Sequence, residues 1–286
     1  MSATVRYGKA EVSFYRTGLG GRALFGAEVD LDVFGDEFLA SYTEGDNTKV
    51  VATDTMKNFV HEMALEYGGS TLEGFLAFLG RRFLETYAHV AALRLRAKER
   101  PFVPAAAPGG RSDVLFRRSG DDAATAEVDL TRERGPVEVT GARSGRVGMR
   151  LIKVTGSSFA RFLRDSHTTL PEMVDRPLYI HFDVHWRYGD LREAIGDVPA
   201  RYLASDAARD FVEGVFHEFN SRSIQHLVHE MGRRMLERFA QIDEVEFDAQ
   251  NRLWETARES AADPTVKVYT DPRPTYGRIG LVLRRD

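Results

Sequence analysis

The sequence predicts an α+β protein made of two homologous halves, each packing helices on one face of an antiparallel sheet. Three observations carry that expectation. Two segments, one opening near Ser70 and one near Ile224, place apolar residues at helical spacing. A shift of 152 residues lays Leu79–Arg100 on Met231–Arg252 without a gap. Most of the remaining chain is enriched in β-branched and aromatic residues between turn signals.

In chain order, Val5–Tyr15 and Ala23–Phe34 read as strands joined by a hairpin loop at TGLGGR. The glycines there mimic a dinucleotide fingerprint, but no helical pattern follows them. Lys49–Ala52 reads as a short strand, with Asp54 placed to cap the helical turn after it. Ser70 and Glu73 have the Ser-x-x-Glu spacing of a capping box. Leu72, Phe75, Leu76, Leu79, Phe83 and Tyr87 then make the apolar stripe of the first helix. Ala105–Gly110 is a hairpin tip, and Val114–Arg118 and Ala126–Leu130 read as strands. Arg134-Gly135-Pro136 is the best candidate junction, giving halves 1–135 and 136–286.

Beyond the junction, Arg146–Val154 reads as a strand. So does the stretch around His181, Asp183 and His185, whose opposite face is Ile180, Phe182, Val184 and Trp186. Ile224, Leu227, Val228, Met231, Met235 and Phe239 form the stripe of the second helix. Identities under the shift include Gly80/Gly232, Arg81/Arg233, Arg82/Arg234 and Glu85/Glu237. Both copies then change to alternating periodicity, at Leu93–Leu95 and Val245–Phe247, so the repeat unit is a helix feeding a strand. Val266–Tyr269 and Arg278–Leu283 are the last strands.

Composition narrows the function classes. With 43% hydrophobic and 29% charged residues, the 286-residue chain is an ordinary globular protein with room for a large core. No apolar run approaches the ~20 residues that span a bilayer, and no secretory signal is read at the start. The C-terminal Leu-Arg-Arg-Asp is not a peroxisomal tripeptide, so a bacterial-type cytoplasmic location is expected. The absence of cysteine excludes disulfides, thiolate metal sites and cysteine nucleophiles. A net charge of -4 argues against nucleic acid as partner.

The chemistry concentrates in Thr155–Arg176, TGSSFARFLRDSHTTLPEMVDR. It offers aromatic rings and a planar cation on one loop-rich segment, which suits a flat anionic ligand. Arg176 presents a rigid donor fork to paired acceptors, or an ion pair with Asp175 or Asp165. Phe159 is a stacking platform or a core ring. Gln225 carries the donors and acceptors that match a lactam edge, or faces solvent on its helix. Lys9 is a base if its environment lowers its pKa, or a solvated edge-strand lysine. His181, Asp183 and His185 share one strand face at a spacing that metals use, although a half-buried strand with a polar side is the simpler reading. His226 and His229 lack a third ligand.

From Tyr7 to about Arg284 the chain resembles the urate oxidases (uricases), on the Thr155–Arg176 segment above and on YGKAEV, NTKVVATDTMKN, SIQHL and FDAQNRLW. The resemblance implies tandem tunnelling-fold (T-fold) domains and a homotetramer forming a barrel. It also implies oxidation of urate by O2 to 5-hydroxyisourate and hydrogen peroxide, with no cofactor. By the same resemblance Arg176 and Gln225 clamp urate, Phe159 stacks on it, Leu170 walls the pocket and the Ile224 backbone faces it. Thr53 and Asp54, from a neighbouring subunit, hold the imidazole side; Lys9 serves Thr53 as base, and Asn251 places oxygen or water. The family pattern Asn-Lys-His departs here to Asn251-Arg252-Leu253, so the relay histidine is a leucine. Two alternatives stay open: a non-catalytic purine or pterin binder of the same fold, and a metal-dependent hydrolase using His181 and His185.

Overall fold

The computed structural model describes residues 4–18, 24–132, 135–196 and 200–285. Most of the TGLGGR loop, Ala23 and Arg134 of the expected junction lie outside the described residues. The chain divides into two compact units, Met1–Gly145 with Arg187–Tyr202, and Arg146–Trp186 with Leu203–Asp286.

The first unit holds β1 (Arg6–Thr17), β2 (Leu24–Phe34), β3 (Ala92–Glu99) and β6 (Ala123–Thr131), hydrogen-bonded in that order as antiparallel neighbours. Val29, Leu31 and Val33 face Ala97, Leu95 and Leu93 across the β2–β3 register, all buried. Against them lie α2 (Thr53–Glu66) and α3 (Leu72–Thr86), the latter burying Phe75, Leu76, Leu79 and Phe83 completely. Each such side chain stabilises the fold by roughly 1.5–3 kcal/mol. A short helix, α1 (Leu39–Thr43), precedes α2. A side hairpin pairs β4 (Phe102–Ala107) with β5 (Gly110–Arg118), and its tip falls at Pro108–Gly109, inside the expected Ala105–Gly110.

The second unit repeats the plan. It takes the second half of β7 (Glu138–Lys153) and most of β8 (Leu178–Tyr188), with β9 (Ile242–Asn251) and β12 (Gly277–Arg284). Its helices are α5 (Ser205–Glu218) and α6 (Ile224–Arg238). A small hairpin joins β10 (Glu255–Glu259) to β11 (Lys267–Thr270). The units part at Gly145, inside β7, because Gly135 and Pro136 form only a bend before that strand. Arg187–Tyr202 joins the first unit and carries α4 (Arg192–Ile195), which packs on α3.

The repeat runs further than the sequence identities. The same offset of 152 residues relates the starts and ends of α2 to α5 and of α3 to α6. Thr71 and Ser223 are matching N-caps, their hydroxyls accepting from the backbone N–H of Gly74 and His226, both at 3.1 Å. Gly80 and Gly232 are identical for a packing reason. A Cβ would lie 2.4 Å from Leu130 at the first and 2.7 Å from Leu283 at the second, so each helix lies close on its sheet only through glycine. Each helix pair is tied to its first strand in the same way. Arg16 donates to the carbonyls of Ala64 and Tyr67 at the end of α2; Lys153 donates to those of Phe216 (3.0 Å) and Phe219 (3.1 Å) at the end of α5.

Three local expectations change. The cap of α3 is Thr71, not Ser70, and Glu73 does not reach back to complete a capping box. Glu73 is buried and accepts instead from the hydroxyls of Ser144 and, at 2.9 Å, Tyr202. Lys49–Ala52 is not a strand: Val50 closes a turn on Asn47, and the Val51 N–H donates to the Tyr7 hydroxyl at 2.9 Å. Its branched residues reflect the burial of Val51 rather than sheet pairing. Asp54 caps nothing, because the N-cap of α2 is Ala52.

Candidate active site

In the second unit, Thr155–Arg176 is a loop closed on itself and pinned to the start of α6. Asp175 does the closing: its carboxylate accepts from the Thr155 hydroxyl (2.6 Å) and the Gly156 N–H (2.7 Å). Burial alone would raise its pKa; these bonds and one from Ser157 outweigh that and hold it below the ordinary 3.8. Asp175 is thereby occupied by backbone and hydroxyl. Phe159 and Met173 exchange backbone bonds of 2.8 and 2.9 Å, and the Ser158 N–H donates to the Ser221 carbonyl at 2.8 Å. Ser221 lies two residues before Ser223, the N-cap of α6, in whose first turn Ile224 is buried and Gln225 is exposed.

Arg176 follows from that closure. Its backbone N–H donates to the Ser157 carbonyl at 2.9 Å, and its guanidinium lies over the Phe159 ring, 5.6 Å from the centroid. The side chain is only 7% exposed, and its Nε has no hydrogen-bond partner among the described residues. Burial pushes its pKa below the usual arginine range. A buried cation without an anion is costly by itself. No ion pair of Arg176 with Asp175 or Asp165 forms among the described residues, Asp175 being taken by Thr155 and Gly156. A cavity of about 680 Å³ brings Arg176 together with Leu170, Leu253, Trp254 and Tyr269 of the same unit. Leu253, the departure from the pattern noted in the sequence, thus shares a chamber with Arg176. Asn251 ends β9 just before it, and its Oδ1 is likewise buried with no partner among the described residues.

The first unit holds the other set. Lys9 lies in β1 where the register slips, and Glu11 there has φ 58° with its N–H donating to Asp30 at 2.7 Å. That bulge turns the strand beside Lys9. Thr53 and Asp54 are exposed in the first turn of α2. Asp54 pairs with Lys57 at 2.5 Å; the Lys57 hydrogen bond and charge lower its pKa most, and the charge of Lys9 adds to them.

The bulge recurs in the second unit: Gly148 has φ 79° and donates to Asp183 at 2.7 Å. An offset of 137 residues relates Arg16 to Lys153, Glu11 to Gly148 and Lys9 to Arg146. Arg146, 3% exposed, pairs with Asp206 at 2.7 Å, and Asp206 is the repeat of Asp54. Sequence reading missed this second set because the strand repeat has its own offset, different from that of the helices. Asp183 is therefore a bulge clamp. No group of three His, Cys, Asp or Glu among the described residues could hold a metal ion. Burial first, and then the charges of Arg150 and Arg252, push the His181 pKa below its ordinary value.

Comparison with known proteins decides the family. The uricase family model matches residues 5–129 and 142–280. The chain belongs to the uricase family. It is 44% identical to the uricase of Halalkalicoccus jeotgali over 291 residues, covering 95% of each chain. It is 41% identical to the uric acid degradation bifunctional protein of Bacillus sp. TB-90, spanning 58% of that longer protein. A crystal structure of the Bacillus sp. TB-90 urate oxidase matches 99% of this chain and 100% of its own, with a TM-score of 0.94 at 38% identity. Urate oxidation is thus the family's enzymatic activity, and the α+β architecture is that of urate oxidase structures. No helix among the described residues is long and apolar enough to cross a membrane.

Proposed function

We propose that this chain oxidises urate with O2 to 5-hydroxyisourate and hydrogen peroxide in purine degradation, using its own side chains and no cofactor. The observation that carries the reading is the buried Arg176 side chain over the Phe159 ring, its Nε unpartnered among the described residues. A planar purine anion supplies what that pair lacks: a charge for the cation and a π-face for the ring. Gln225, exposed in the first turn of α6 beside the Ile224 backbone, takes the lactam edge. Leu170 forms an apolar wall, and the Asn251 amide holds oxygen or the attacking water.

Lys9, Thr53 and Asp54 take the imidazole side and move the proton. They belong to the first unit, and the sites form between subunits of a homotetramer whose tandem T-fold halves, 1–135 and 136–286, close into a barrel. Two electrons leave urate and reduce O2, which takes two protons to become H2O2; water adds at the oxidised carbon. Positioning and preorganised charge supply most of the acceleration. Leu253 carries no proton, so the relay runs through Lys9, Thr53 and water. The same reading places the enzyme in the cytoplasm.

The test is to mix protein, urate and air and to follow urate absorbance, dissolved oxygen and peroxide together. One peroxide per urate is expected. A preparation that binds urate but consumes no oxygen would sink the catalytic reading.

A further inference from the structure

Phe159 is not a lone ring. Phe162 stacks on it with centroids 4.9 Å apart and planes within 13° of parallel. The Arg164 guanidinium lies over Phe162 at 5.4 Å from its centroid and donates to the Leu170 carbonyl at 3.1 Å. The turn that folds Phe162 back runs through Arg161, a non-glycine residue at φ 58°. Such a conformation is unfavourable on its own and persists where its surroundings enforce it; here the Arg161 N–H donates to Glu172 at 3.0 Å. One strained residue and two anchors thus serve to lay one ring flat on another.

We propose that Phe162, backed by Arg164, is a positioning residue that holds the Phe159 platform flat for the purine. The inference rests on the urate reading of this site and extends it. Phe162 covers one face of Phe159, so the ligand stacks on the remaining face, edge to edge with the Arg176 guanidinium that also lies over the ring. A purine gains full overlap only if Phe159 cannot rotate about its side-chain bonds, and Phe162 prevents that rotation. The Arg164 bond to Leu170 couples the same stack to the apolar wall.

The experiment compares Phe162→Ala, Phe162→Leu, Phe162→Tyr and Arg164→Ala with the parent, in single and Phe159→Ala backgrounds. It measures urate KM and kcat by oxygen uptake, xanthine affinity by calorimetry as a second planar purine, and melting temperature as a check of folding. Stacking pairs of this kind predict a ~3- to 10-fold rise in KM and in the xanthine dissociation constant for Phe162→Ala, with a smaller change in kcat. Arg164→Ala raises KM ~2- to 4-fold. Phe162→Leu behaves like Phe162→Ala, whereas Phe162→Tyr restores the parent values. In the Phe159→Ala background the Phe162→Ala effect disappears. Rescue by leucine, an unchanged KM, or an equal loss without Phe159 overturns the proposal. A parent that binds purines without consuming oxygen refutes the activity alone, and one that binds no purine refutes both.

Discussion

Replacing Glu73 with glutamine isolates one buried proton. Glu73 is 2% exposed and accepts from Ser144 and Tyr202. Burial is the largest influence and raises its pKa above the ordinary 4.5; the bonds from Ser144, its own backbone N–H and Tyr202 pull it back without cancelling the shift. The folded chain therefore keeps this proton to a higher pH than the unfolded chain. Stability from the group is complete below the ordinary carboxylate pKa and is lost as pH rises through the folded one. A single retained proton gives a slope of at most ~1.4 kcal/mol per pH unit in that window. Glu73→Gln keeps the shape and both bonding positions without the titration. Urea unfolding of parent and variant at fixed protein concentration, from pH 5 to 8, is the assay. The variant is expected to gain on the parent with rising pH, by up to that slope per unit. Glu73→Ala instead loses ~2–4 kcal/mol at all pH, from the cavity and the two unmade bonds. Parallel stability curves for parent and Glu73→Gln would show an ionised Glu73 and refute the reasoning.

Three further outcomes are expected. Leu253→His raises kcat at least ~10-fold in the oxygen assay, because general acid–base groups contribute roughly 100- to 10,000-fold; no change would mean that the relay is complete without it. Lys9→Met and Arg176→Gln are each nearly inactive, but refolding them together restores about a quarter of the parent activity by pairing intact half-sites; no recovery would place both residues in a site within one chain. Asp183→Ala lowers stability by ~1 kcal/mol through the lost Gly148 bond, read in urea, while metal analysis of the parent and activity after chelation show no metal dependence.

Much of the fold was legible in the sequence because the repeat is written in apolar spacing. Leu72 to Phe83 and Ile224 to Met235 each mark a buried helix face. The paired helices α2 and α5 were missed: their buried residues, Met56, Val60, Met63 and Ala64 in one and Ala208, Val212, Val215 and Phe216 in the other, keep helical spacing but make a thin stripe in otherwise polar segments. Ser70 passed for the cap because Ser70 and Thr71 are both good cap residues, and only the folded chain, where the Gly74 N–H donates to the Thr71 hydroxyl and Glu73 is buried, decides between them. At the site, the Arg176 residue type suggested a clamp, but its isolation from carboxylates is a property of the folded loop, set by Asp175 turning to Thr155 and Gly156. The Asp183 spacing suggested a metal because a strand face aligns polar residues for several purposes, a bulge contact among them.

The paired bulges with Lys9 at one and Arg146 at the other bear on how the two halves are inherited. Arginine keeps its proton in proteins, whereas lysine can surrender one. Arg146 is moreover already engaged by Asp206. On the reading proposed above, a chain of two first halves would carry two bases and no clamp, and a chain of two second halves two clamps and no base. The halves keep the outline of copies but are no longer spare parts for one another. Selection then acts on the tandem as one indivisible unit, and a half-length version would be left without a chemistry.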